Sequence, residues 1–147
     1  MPSSLFSILR PLVIYAIFAF GLNFVWESLH APYLYASHTF TMSFWPLMAY
    51  VSSVDTALLL LIFFGGALLW QNWQWFLRAD VERQNFYVIM AGITIALIIE
   101  VKAVYIFHQW TYSDLMPTIF GIGLSPLVQL ALTGLAALWI CRAIIPR

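Results

Sequence analysis

The chain has 147 residues, 63% of them hydrophobic and 8% charged, with six basic side chains balancing six acidic ones. Soluble domains carry roughly a quarter charged residues, so this composition excludes an ordinary globular protein, and the lack of a basic stripe excludes nucleic acid as a partner. The length leaves room for one compact domain, 1–147, and no more.

About 20 apolar residues are needed to cross a bilayer as a helix. The first such segment, about 12–30, follows Arg10 and ends on Asn23, Trp26, Glu27 and His30. No small-x-small cleavage site follows it, which favours a retained helix over a signal peptide. The second, about 45–70, opens on Trp45 and Pro46 and carries Ser52 and Asp55. Mixed charges at Arg78, Asp80, Glu82 and Arg83 mark the stretch Gln71 to Asn85 as a solvated turn or short interfacial helix. The third segment, about 86–107, carries Glu100, Lys102 and Tyr105, with His108 and Trp110 just beyond. A fourth, about 117–140, opens on Pro117 and contains Ser125 and Gln129. Gly121, Gly123 and Pro126 predict a kink or broken turn in its first half. Cys141 has no partner for a disulfide and reads as a structural thiol, with palmitoylation as the alternative.

Short connections make consecutive helices antiparallel neighbours, so the expected fold is an all-α, integral membrane four-helix bundle. Arg10, Arg78, Arg83, Arg142 and Arg147 fall at the termini or in the middle loop, while Ala31 to Phe44 and Gln109 to Met116 contain no Lys or Arg. The positive-inside rule therefore places both termini in the cytoplasm, as in a bacterial inner (plasma) membrane. Trp70, Trp73 and Trp75 mark the inner interface, and Trp26, Trp45, Trp110 and Tyr112 the outer one. GGALLW at Gly65 to Trp70 echoes GLAALW at Gly134 to Trp139, in the manner of a duplicated hairpin.

A rise of about 1.5 Å per residue converts position into depth. Counted from Arg10, Glu27 lies about 25 Å up a core about 30 Å thick. Glu100 lies about 21 Å and Lys102 about 24 Å from Phe86; Asp55 is about 15 Å below Trp45, and Ser125 and Gln129 are about 12 and 18 Å below Pro117. The polar groups thus gather in the outer half, above an inner half with little beyond Tyr15, Thr94 and Thr133. Asn23, Glu27 and His30 share one helical face, as do Ser52 and Asp55. Glu100 and His108 are about 80° apart on theirs, and Lys102 points the other way, to pair with Asp55 or Glu27 or to snorkel.

An ionisable residue inside hydrocarbon is a functional-site hypothesis by default. The leading reading is an intramembrane acid–base site that binds and modifies a hydrophobic lipid or isoprenoid-like substrate by proton transfer, as an isomerase, cyclase or hydratase does. In an apolar pocket two carboxyl groups can hold different protonation states, so one donates while a neighbour held by Lys102 stays ionised. Glu27, Asp55, Glu100, His30, His108 and Lys102 are the candidate catalytic residues. Asn23, Trp26, Ser52, Tyr105, Trp110, Ser125 and Gln129 are the candidate substrate-binding ones, with the aromatic rings able to stabilise a developing cation. The alternative is a non-catalytic subunit or assembly partner whose polar network glues the helices, in a homo-oligomer or with another membrane protein.

No cofactor is required by this reading. A haem held between the first and third helices by His30 and His108 is a further alternative; a di-iron centre needs two Glu-x-x-His motifs, and only Glu27-x-x-His30 is present. A transporter needs polar groups through to the cytoplasmic side, which the apolar inner half does not offer. A bundle with carboxylates near one face is similar in outline to small sterol-isomerase and sigma-2-receptor-like membrane proteins. The W-x-Y…MP segment from Trp110 to Pro117 resembles part of some carotenoid-modifying membrane enzymes, and no catalytic residue is carried over from either group.

Overall fold

The computed structural model describes residues 5–36 and 42–145. Residues 37–41 of the first connection, and Arg147 used above for orientation, lie outside the described residues. Four helices carry the chain: α1 (Leu5–Leu34), α2 (Phe44–Leu69), α3 (Val81–Val101) and α4 (Leu124–Ile144). Each is long and apolar enough to cross a membrane. All-α architecture therefore follows from the four apolar segments, although the ends shift from their sequence-based positions.

Neighbours in sequence are neighbours in space, with α4 returning against α1. The pairs α3–α4, α1–α2 and α1–α4 pack extensively, whereas α2 and α3 touch lightly and α1 and α3 lie diagonally opposed. Small residues set the close pairs, as expected where lipid removes the hydrophobic drive between helices. At Gly92 on α3, an added Cβ would stand 2.7 Å from the backbone nitrogen of Ala131 on α4. At Gly134 it would stand 2.7 Å from Leu59 of α2.

The segment between α2 and α3 departs from the expected solvated turn. Trp75 and Phe76 fold back and are fully buried, in a short 3-10 turn (Trp75–Leu77). The Trp75 indole stacks on Trp70, donates to the Phe63 carbonyl at 3.1 Å, and fills the space that Gly66 leaves open. Trp75 thus plugs the bundle end instead of joining an interfacial belt, because a partner carbonyl and a glycine notch are both within reach. Arg142 closes the same end, donating to the Phe76 carbonyl at 2.9 Å and, at 2.8 Å each, to Asn85 Oδ1 and Gln84 Oε1. The echoed tryptophans are not equivalent, since Trp70 stacks on Trp75 while Trp139 is 54% exposed.

The other end differs too. α3 passes into a π-helical turn, Lys102–Ile106, where the Phe107 N–H bonds the Lys102 carbonyl at 2.8 Å. α4 begins at Leu124 and not at Pro117. The residues between form a small hairpin, β1 (Thr118–Ile119) against β2 (Ile122–Gly123), in antiparallel register. Its two turn residues, Phe120 and Gly121, have φ of 49° and 74°. Positive φ at both positions is what a tight two-residue hairpin demands. Pro126 then falls in the first turn of α4, where the missing N–H removes no helical bond, so the expected kink within the helix is a break before it.

Candidate functional site

Glu27 on α1, Asp55 on α2 and Glu100 in the last turn of α3 line one cavity of about 80 Å³, together with Gln129 of α4 and Trp110 of the α3–α4 connection. Such a space admits a few water molecules or the polar head of a larger molecule, and not a lipid body. The four helices reach this level at the same end of the bundle: late in α1 and α3, early in α2 and α4. Among the described residues no Lys, Arg or His lines the cavity.

Gln129 is the hub. Its side-chain nitrogen lies 2.7 Å from Glu27 Oε1, 2.9 Å from Asp55 Oδ2 and 3.1 Å from Asn23 Oδ1. An amide nitrogen has two protons, so the two shorter contacts take them and the two carboxyl groups share one donor. Asn23 donates to the Ala19 carbonyl at 2.9 Å, and its oxygen lies 3.2 Å from the Thr133 hydroxyl. That hydroxyl also lies 2.8 Å from the Gln129 carbonyl, one turn back along α4. Asn23, Glu27, Gln129 and Thr133 are all buried, as polar groups at this depth must be when hydrogen-bonded to one another.

Glu100 is held differently. Its Oε2 accepts from the Tyr112 hydroxyl and, at 3.4 Å, from the Trp110 indole N–H. Both donors belong to a strap that crosses the end of α1. Tyr112 pairs with Tyr35 in an antiparallel bridge, the Ala36 N–H bonds the Thr111 carbonyl at 3.0 Å, and the Ser113 N–H bonds the Leu34 carbonyl at 2.9 Å. The Ser113 hydroxyl adds a bond to the Tyr33 carbonyl at 2.6 Å. Tyr35 packs edge-on to Trp110 and tilted on Tyr112. Burial first, and then the nearby Glu100 and Glu27 carboxyls, keep the Tyr35 phenol above its ordinary range.

Burial and the bond to Glu100 push the Tyr112 phenol up to about 12. It therefore remains a donor at any physiological pH. Because the folded value is raised above the ordinary 10.0, the Tyr112 contribution to stability is complete below about pH 10 and declines as pH climbs toward 12. Tyr112→Phe is expected to lower the detergent melting temperature at neutral pH and to flatten the decline between about pH 10 and 12. Melting curves of the two proteins across that range test this, and parallel curves would contradict it.

The remaining sequence candidates fall in other places. Ser52 is fully buried one turn before Asp55, and its hydroxyl finds no hydrogen-bond partner among the described residues. Lys102 is exposed, with its ammonium 5.9 Å from the centre of the Phe107 ring, so it stands with solvent or headgroups and not beside Asp55 or Glu27. His30 does not line the carboxyl cavity. Its Nδ1 lies 2.9 Å from the Trp26 carbonyl, its ring stacks on Trp26, and both line grooves on the α1–α4 face. Ser125 lines one of the same grooves. Tyr105 is exposed and donates to the Phe120 carbonyl, tying the π-turn to the hairpin. His108 is exposed in the connection with φ of 48°.

Neither groove that His30 lines includes His108, the other histidine of the haem alternative. Among the described residues no three His, Cys, Asp or Glu side chains converge as a metal site.

Three participants escaped the sequence reading. Thr133 counted as part of the apolar half, although its i, i+4 spacing from Gln129 is the signal that joins them. Tyr112 read as an interfacial aromatic, and Tyr35 carried no signal at all, because only the strap brings either to the carboxyls. No protein-family model, curated protein or solved structure matches the chain.

Proposed function

We propose that this membrane protein binds the polar head of a lipid or isoprenoid-like molecule between Glu27, Asp55 and Glu100 and rearranges it by proton transfer. One carboxyl group delivers a proton to the substrate, a second carboxylate removes one from a neighbouring carbon, and the site ends with the protons it began with. The observation that carries the reading is three carboxyl groups from three helices around one small cavity, with a neutral amide, and no cation, bridging two of them. A network serving only as glue would be better built from uncharged groups, because each acidic side chain at this depth is expensive to bury. The arginine distribution supports the cytoplasmic termini of a bacterial inner membrane protein.

Asp55→Asn and Glu100→Gln keep shape and most hydrogen bonds while removing the titrating group. Each is expected to leave folding intact and to lower turnover at least a hundredfold, in line with the loss of a general acid or base. Comparison of the membrane lipids and isoprenoids of cells carrying either variant with wild type tests the reading. Folded variants with an unchanged lipid profile would leave the second reading, a non-catalytic subunit that assembles with a further copy or another membrane protein.

A further inference from the structure

The cavity is too small for the apolar body of any such molecule, so the body must lie elsewhere along the helices. Grooves among the described residues with room for it include three apolar ones. Those on the α1–α4 face, of about 290 and 370 Å³, border Trp26 and His30. α1 and α4 are closely packed there, with the Asn23, Gln129 and Thr133 side chains meeting between them. The third groove, about 560 Å³, lies between α2 and α3, the lightly packed pair, and its walls include Trp70, Tyr87, Ala91 and Ile95.

This third groove lies on the loosest of the sequential helix pairs, and along α3 it shares a row of side chains with the cavity. Tyr87, Ala91 and Ile95 recur every four residues along one face of α3, and Ile99, next in the same row, lines the carboxyl cavity. From Tyr87 to Ile99 the row rises about 18 Å, which suits an extended hydrocarbon chain. The Tyr87 hydroxyl crosses to α2, where it donates to the Ile62 carbonyl at 2.9 Å. Charge narrows the head. Three carboxyl groups with no cation among them repel phosphate or carboxylate, whereas an uncharged oxygen can accept a proton from one carboxyl or donate to another.

We propose that the α2–α3 seam is the lateral entry to the site, and that its groove seats the tail of a single-chain amphiphile with an uncharged, oxygen-bearing head. Resting on the acid–base reading for where the head sits, this names the substrate class: a long-chain or isoprenoid alcohol or carbonyl compound, not a phospholipid or a fatty acid.

Photolabelling of the whole protein in phosphatidylcholine vesicles tests it. The probe is hexadecanol carrying a diazirine at mid-chain, and the comparison probe is palmitate with the same diazirine. Adducts are expected on Tyr87, Ala91, Thr94 and Ile95, lost on adding excess hexadecanol but not excess palmitate. Ala91→Phe, which narrows the groove, should reduce the labelling at least fivefold; Leu29→Phe, on the α1–α4 face, should not. Adducts spread over all lipid-facing surfaces, adducts centred on Trp26 and Leu29, or equal labelling by palmitate would each overturn the proposal. The outcome separates from that of the acid–base reading. Competed labelling in the groove alongside an unchanged lipid profile in Asp55→Asn cells would sink the chemistry alone, and an altered profile with labelling elsewhere would sink the groove alone.

Discussion

Gln129→Leu should be among the most damaging single substitutions in the chain, lowering stability in detergent by about 3 kcal/mol. Hydrogen bonds between membrane helices are worth on average only about 0.6 kcal/mol each, so lost bonds alone would not produce that figure. The larger effect comes from what remains: a buried carboxyl group, Glu27, and a half-buried one, Asp55, whose shared donor is gone, at about 1–3 kcal/mol for each unsatisfied group. A double variant, Gln129→Leu with Asp55→Leu, should recover part of the loss, since replacing both partners by apolar groups is far less destabilising than stranding one. Thermal melts of wild type, both single variants and the double variant measure the coupling directly. If Gln129→Leu melts with wild type, the amide is not the hub described.

Gly92→Leu is expected to disrupt the bundle by about 3 kcal/mol or more, and even Gly92→Ala should be clearly destabilising. The added Cβ would meet the Ala131 nitrogen at 2.7 Å and its Cα at 2.8 Å. Those are backbone atoms of a packed helix, so neither a rotamer change nor Ala131→Gly relieves the clash, and α3 must move away from α4. That movement would also displace Glu100 relative to Gln129. Two other glycines provide the scale. At Gly65 the Cβ would meet the flexible Tyr87 hydroxyl, so Gly65→Ala should cost about 1 kcal/mol, chiefly through the Tyr87–Ile62 bond. Gly21 has open space around it, and Gly21→Ala should be neutral or stabilising by up to about 1 kcal/mol. An order of stability other than Gly92→Leu, Gly65→Ala, Gly21→Ala, from lowest to highest, would contradict this packing.

The candidate site is partly legible in the sequence. Glu27, Asp55, Glu100 and Gln129 stand out as polar residues in apolar segments, and helix rise gathers them only roughly toward the outer half; the later start of α4, at Leu124, is what brings Gln129 level with the carboxyl groups. Their helical faces were less secure. Asn23 and Glu27 do look inward together, but His30, only three residues on, turns toward the α1–α4 face, where Trp26 offers a carbonyl and a ring to stack on. A wheel of ideal helical angles cannot anticipate that local competition. Lys102 shows the same limit from the other side: with the acidic groups already served by Gln129, Tyr112 and Trp110, its long side chain finds the exposed end of the bundle.

Length, apolar content and the spacing of the charged residues determined by themselves that this is an all-α chain of four membrane-length helices, with acidic groups toward one end. The determinants are local, since each helix satisfies its own backbone and each apolar run must be long enough to span hydrocarbon. Which helix seam stays loose, where α4 starts, how Trp75 plugs one end and how the strap carrying Trp110 and Tyr112 reaches Glu100 were settled only by the tertiary structure. Each depends on contacts between residues distant in the chain: a glycine notch facing an indole, a two-residue turn at Phe120 and Gly121, and a stretch of backbone pairing with the end of α1. Periodicity carries no record of such partners. The carboxyl groups could be found by reading; that a single amide holds two of them could not.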